Sequence, residues 1–349
     1  MSVVGKFLIH DLHIHLRQGA LMRAVTPALN KAGIGAVFVM PNLKPPVTTT
    51  EQALAYKSQL QALAPNVTFL MSLYLSPSLT PDEIRKAKNA GIAGVKSYPR
   101  GVTTNSEGGI ESYSVYYDVF RAMEEEDLVL NLHGEIPSDP DNDICVLNAE
   151  ERFLTHLKQL HKDFPKLRIV LEHATTKAAV DVVKSLGPTV ACSITVHHLE
   201  LIVDDWAGKC HNYCKPVAKY PHDRRALQEV VKEGHPRFFL GTDSAPHPRH
   251  TKETSSCAAG VYTGPHILAY LANALASFDA LDKLTQFGNE NGAKFYRLTE
   301  TDLKGASAAQ LIEEGFTVPQ LLKYVDDDGV EREIVPYRAG ETLKYTVRP

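Results

Sequence analysis

The chain has 349 residues, 44% of them hydrophobic and 22% charged, with a formal net charge of −4. This is an ordinary globular composition: it offers no basic surface to nucleic acid or anionic lipid, and no apolar run is long enough to span a bilayer. The five cysteines are scattered, and the first stretch, Met1 to Lys6, lacks the apolar core of a signal peptide, so a cytoplasmic protein without a disulfide framework is expected.

The apolar run Phe7-Leu8-Ile9 reads as a first strand, and it leads into Asp11-Leu12-His13-Ile14-His15-Leu16-Arg17. Side chains two apart on a strand share a face. His13, His15 and Arg17 are therefore expected in one polar row, with Leu12, Ile14 and Leu16 in an apolar row behind it. Two imidazoles at a strand end suit a divalent transition metal, and a guanidinium beyond them suits a carboxylate. Taken alone, the H-x-H is equally a pair of hydrogen-bonded strand histidines.

From there a short apolar strand followed by a helical stretch recurs. Leu21 to Lys31 reads as a helix closed by Gly33, Ala36 to Met40 as a strand, and Glu51 to Leu63 as a helix. Val67 to Leu75 is the third strand, followed by a helix that Thr80 caps and Pro81 opens. Strands at 92–98, 128–133, 167–173, 190–196 and 237–243 alternate with helices near 113–126, 149–162, 177–186, 223–232 and 265–276. Continuously apolar strands alternating with helices make a parallel sheet covered by helices, and eight such units in about 300 residues predict a closed α/β fold, the (β/α)8 or TIM barrel. A doubly wound open sheet is the second arrangement, but no Gly-rich dinucleotide loop follows the first strand. The expectation is one catalytic domain over 1–349, with a less regular segment from about 300 closing on it and a short terminal strand at 340–347.

Chemistry in such barrels lies at the C-terminal strand ends. Here those ends carry His13, His15, Asn42, Lys96, His133, His173 and Asp243. Each has an ordinary explanation: His133 a satisfied core histidine, Lys96 half of an ion pair, Asp243 a helix cap. Together they predict a polar pocket in an apolar barrel mouth. Four imidazoles and a carboxylate exceed what one tetrahedral zinc with an open position takes. They suit two ions about 3.5–4 Å apart that share a water. Between two dications, Lys96 must either lose its proton or add carbon dioxide to become a carbamate bridging both. Cys210, His211 and Cys214 look like half of a metal knuckle, but no second pair stands at finger spacing, so they are read as ordinary thiols.

This set of residues resembles the amidohydrolase superfamily. More narrowly, the stretch from Asp11 to Arg17 and Gly241-Thr242-Asp243-Ser244-Ala245-Pro246-His247, with Lys252 following, resemble the two signature stretches of the dihydroorotase family, in its compact, usually homodimeric branch. The likeness runs to about residue 300 and resumes near Val335 to Thr342. It implies two zinc ions per subunit, one held by His13, His15 and Asp243, the other by His133 and His173, bridged by Lys96 as N6-carboxylysine. It implies reversible hydrolysis of the ring amide of L-dihydroorotate to N-carbamoyl-L-aspartate, a step of pyrimidine biosynthesis, by a hydroxide bridging the zincs with Asp243 as general base and then acid. It implies a carboxylate clamp of Arg17, Asn42 and His247, a backbone contact at Ala259, and a loop, 101–105, that closes through Thr103 and Thr104. Lys215 stands at a substrate-contact position where the family often has leucine. The resemblance gives His197 and His198 no metal, and they are read as structural or solvent-facing.

Two other readings remain at this stage. A hydantoin, exocyclic amine or phosphotriester substrate would suit the same metals, but those substrates need no carboxylate clamp. A non-catalytic scaffold barrel would be expected to have lost ligands, and none is missing.

Overall fold

All eight expected barrel strands are present in the structure, a computed structural model that describes residues 2–349. A preceding strand, β1 (Ser2–Phe7), stands apart from them. The eight are β2 (Ile9–Ile14), β3 (Ile34–Val39), β4 (Thr68–Tyr74), β5 (Gly94–Ser97), β6 (Val129–His133), β7 (Ile169–Glu172), β8 (Val190–Ile194) and β9 (Phe238–Leu240). They pair in parallel in chain order as one eight-stranded sheet. The seam between β9 and β2 is drawn together just beyond β9: Asp243 N donates to His13 O (2.8 Å) and His15 N donates to Ser244 O (3.0 Å). The fold is thus the (β/α)8 barrel.

Leu12, Phe38, Met40, Val129, Val170, Ala191 and Phe239 form a small apolar cluster of their own, separate from the larger one between sheet and helices. The helices form where their ends are satisfied. Thr49 and Gln52 make a reciprocal capping box at the start of Thr50–Leu63. Thr80 accepts from Glu83 N (3.2 Å) with Pro81 at the first helical position, as expected. Thr176 caps Lys177–Ser185 in the same way. Among the described residues no helix is long and apolar enough to cross a membrane.

Four local expectations need correction. Phe7-Leu8-Ile9 is not one strand but the junction between two, β1 and β2. The apolar row behind the histidines is also split: Leu12 joins the small inner cluster, whereas Ile14 and Leu16 belong to the larger one. The register of β2 against β3 shifts between Asp11 and Ile14, and such an irregularity interrupts strict alternation. The helix expected at 21–31 is an α-helix, Gly19–Val25, that tightens into a 3₁₀ turn over Thr26–Lys31 at Pro27. Finally, the last fifty residues are not merely a terminal strand. They hold β10 (Ala309–Thr317), a hairpin of β11 (Leu322–Val325) and β12 (Glu331–Ile334), and β13 (Thr342–Arg348). β10 lies between β1 and β13 in an antiparallel three-stranded sheet.

Candidate active site

The expected strand-end residues converge on one rim. His13 and His15 have ring centroids 5.6 Å apart, His13 and His173 4.9 Å, and His133 and His173 4.7 Å. Asp243 Oδ1 lies 2.9 Å from His15 Nε2 and 3.4 Å from His13 Nε2. One ligand atom from each of these three residues falls within 4.8 Å of the other two. Two members of the group need unusual backbone: His173 (φ +42°) and Asp243 (φ +49°) sit in the left-handed region immediately after β7 and shortly after β9. Such conformations cost of order 1–3 kcal/mol and persist where the surroundings over-determine them.

Lys96 on β5 is fully buried and its Nζ has no hydrogen-bond partner among the described residues. Burial lowers its pKa to about 8, opposed by the charges of Glu172 and Asp243. Burial pushes the Asp243 carboxyl up, but its contacts with His15 and His13 outweigh that and hold it well below the usual carboxylate range. Burial lowers His15 to about 4, so it is neutral at physiological pH.

A second layer of acceptors orients the imidazoles. Glu172 Oε2 lies 2.8 Å from His13 Nδ1, Glu135 Oε2 2.7 Å from His133 Nε2, and Asn42 Oδ1 2.9 Å from His15 Nδ1. Each bond fixes one ring nitrogen and leaves the other for a ligand, which is how metal-binding histidines are held. The buried, unpartnered His173 Nδ1 and Lys96 Nζ are polar atoms that need a partner. Neutral imidazoles, one ionised carboxylate and an orphaned amine are a nitrogen and oxygen donor set for a first-row transition metal, zinc included. The residues present fit a metal centre.

Around it, Arg17, Asn42, Tyr98, Thr103, Thr104, Lys215, Ala245, Ala259 and Gly260 line the same cleft. Arg17 does not continue the strand row. Its φ of +61° turns it out of the extended conformation, and Nε donates to Pro246 O (2.9 Å) while Nη2 meets His247 Nε2 (2.9 Å). Burial lowers its pKa to about 10, which leaves it charged at neutral pH. His247 Nε2 also lies 3.0 Å from Ala259 O. The 101–105 loop is folded inward: Asn42 Nδ2 donates to Thr104 O (2.9 Å), and Asn105 Nδ2 donates to Asn42 O (2.8 Å). A roomier cavity of about 230 Å³, lined by Tyr113, Tyr117, Phe153 and His156, lies elsewhere; the chemistry belongs to the smaller cleft because the donors meet there.

His197 and His198 are both buried, so the solvent-facing reading is wrong and only the structural one stands. His198 Nε2 donates to Pro216 O (3.0 Å), which also accepts from Cys214 Sγ (3.1 Å). With His197 they group three ligand-type side chains that the cysteine spacing did not reveal. All five cysteines are free thiols. Sequence reasoning missed Glu172, Glu135 and Tyr98. The Tyr98 ring stacks on Tyr74 at 5.1 Å, its hydroxyl has no partner among the described residues, and Lys96 Nζ sits 5.1 Å from the ring centre. The available signal was polarity inside apolar strands, as in Leu171-Glu172-His173.

A parallel barrel with a buried, polar, metal-suited rim has the architecture of a barrel enzyme with its chemistry at the C-terminal strand ends. Comparison with known proteins narrows this. Residues 8–302 match the amidohydrolase family model. A dihydroorotase of Mycosarcoma maydis is 48% identical, with 97% of this chain and 96% of that protein covered. A Saccharomyces cerevisiae dihydroorotase is 44% identical over the same shares of both chains. The crystal structure of the Saccharomyces cerevisiae dihydroorotase in complex with 5-fluoroorotic acid superposes with a TM-score of 0.93 at 44% identity, covering 98% of this chain and 97% of that one. The chain belongs to the amidohydrolase family and, within it, to the dihydroorotases.

Proposed function

We propose that the protein reversibly hydrolyses the ring amide of L-dihydroorotate to N-carbamoyl-L-aspartate, at a centre of two zinc ions. His13, His15 and Asp243 would hold one ion, and His133 and His173 the other. Lys96, as N6-carboxylysine, would bridge them. Its buried amine has a lowered pKa and so supplies the neutral nitrogen that adds carbon dioxide. When bound, the ions supply Lewis acidity and bring the pKa of water toward neutrality.

The chain's own groups do the rest. Arg17 and His247, joined at 2.9 Å, and Asn42 form a clamp for the substrate carboxylate, in which the guanidinium binds two-pronged. The clamp fixes the amide carbon against the nucleophile and removes much of the entropic cost of attack. Asp243, ionised and within reach of the rim, takes the proton of the attacking water and returns it to the leaving ring nitrogen. Thr103 and Thr104 cover the ring from the 101–105 loop and exclude bulk water. Ala259 and Lys215 complete the wall of the cleft. We further propose that residues 1–349 act as one catalytic unit and pair as a homodimer in the cytoplasm.

The observation that supports this reading is the meeting of four histidines, Asp243 and Lys96 beside a half-buried arginine that has no carboxylate partner among the described residues. The test is metal analysis of the purified protein with parallel assays of carbamoyl aspartate cyclisation and hydantoin hydrolysis. The expected result is about two metals per chain and turnover of carbamoyl aspartate alone. Hydantoin turnover with no cyclisation would refute it.

A further inference from the structure

One buried charge takes no part in that chemistry. Lys252, at the end of the short helix Arg249–Lys252, is buried, and its three partners are all main-chain carbonyls. Nζ donates to Tyr213 O (3.1 Å), Ala258 O (2.9 Å) and Gly260 O (2.6 Å). An ammonium has three N–H donors and no acceptor, so the set is complete. Burying a cation without a counter-charge is costly, and a methionine would fill the same space without that penalty.

What the ammonium gains is a junction. Tyr213 begins the segment that carries Lys215, and 258–260 carries Ala259 and Gly260; Lys215, Ala259 and Gly260 all line the cleft. We infer that Lys252 is a positioning residue for the substrate: its ammonium ties these two segments together and so sets the wall of the cleft and the carboxylate clamp behind it. This rests on the proposed function for the identity of the substrate, but the junction itself does not.

The connections around it agree. Tyr213 O also accepts from Gly260 N (3.0 Å), so the two segments meet at that carbonyl. The far end of the first segment is held separately, at Pro216 O, by His198 and Cys214. A side chain at Gly260 would place its Cβ 2.5 Å from Ala245 O, so this segment already lies hard against the strand-end stretch that follows Asp243. Ala259 O meets His247 Nε2 (3.0 Å), and His247 meets Arg17. A shift of 258–260 is therefore passed to the guanidinium. Three converging donors on a flexible stem suit a lysine, whereas the planar fork of arginine cannot form this tripod.

The test compares wild type, Lys252→Met, Lys252→Arg and Lys252→Ala. It uses steady-state kinetics with carbamoyl aspartate, metal analysis and amide hydrogen exchange. For Lys252→Met we expect KM to rise about tenfold or more, kcat per metal-loaded site to change less than about threefold, and exchange to quicken in 213–217 and 258–260 together. Arginine should not restore KM, whereas added ethylammonium should partly restore it in Lys252→Ala and tetramethylammonium should not. A merely structural lysine would lower the loaded fraction or the unfolding temperature and leave KM alone. Unchanged KM, or exchange that is unaltered or raised throughout the barrel, would overturn the inference. Should the wild type not turn over carbamoyl aspartate, the functional reading fails, and the exchange pattern still decides the role of Lys252.

Discussion

Asp243 is the residue at which the largest effects meet, because it faces His13 and His15 and is held ionised. Asp243→Asn keeps the shape and the hydrogen-bond reach but has no basicity. Turnover of carbamoyl aspartate is expected to fall about 10²–10⁴-fold with the circular dichroism spectrum unchanged; near wild-type activity would remove Asp243 from the proton transfer. In the proposed clamp, Arg17 acts on binding instead. Arg17→Met removes a charged donor to the substrate carboxylate, worth about 1.5–3 kcal/mol, so kcat/KM should drop about tenfold to a hundredfold. Lysine should rescue it poorly, since a point charge does not reproduce a two-pronged contact. The six expected metal ligands were readable because histidine, lysine and aspartate at the ends of apolar strands are conspicuous. Glu172 and Glu135 were not, since each is a carboxylate whose meaning depends on an imidazole from the rim, and for Glu172 that imidazole is 159 positions away.

At the scale of elements, a β9 of only three residues must still reach both of its neighbours. Gly241, just past its end, makes this possible: a Cβ there would lie 2.8 Å from Ser193 Cβ and 2.9 Å from His13 Cβ. Gly241→Ala forces the last strand away from the first and should cost about 1–3 kcal/mol. Chemical denaturation would measure that loss, and metal analysis should show a lower content, because His13 is pushed directly. Equal stability and full metal content would mean that the neighbours yield freely. The βα units were legible because apolar runs, Thr-Pro caps and helical periodicity are local signals. The antiparallel sheet of β1, β10 and β13 was not, because Ser2 pairs with Glu313 across almost the whole chain and no local pattern announces such a partner.

For the whole molecule, buried titratable groups set the response to acid. Burial lowers His10, His197 and His266 from 6.5 to about 4, so between those values the unfolded chain takes up protons that the folded chain refuses. Stability is therefore full above about pH 6.5 and falls as the pH drops toward 4. Asp11 works in the opposite sense: burial raises it to about 7, so the folded form holds a proton that the unfolded form releases over the same window. His15, at about 4, and His247, at about 2, act in the same sense as the other three histidines. Five imidazoles thus outnumber Asp11, so unfolding takes up a net excess of protons in this window and stability falls as the pH drops. Urea midpoints of the chelator-treated protein between pH 7 and 5 should show this fall, and His10→Asn should reduce the uptake by about one proton. A flat profile would contradict the burial of these imidazoles.

The hydrogen bonds that join His13 and His15 to Asp243 and Ser244 bear on the order in which the molecule comes into being. As the polypeptide leaves the ribosome, β2 emerges near the beginning and has to wait for nearly the entire cylinder before its second flank is covered. Until residues 238–244 follow, the growing chain displays a bare strand edge, the kind of surface that invites pairing with a neighbouring chain. Translation that stalls short of that point is expected to leave that edge open, so the stretch that completes the proposed reaction rim is also the clasp that closes the barrel.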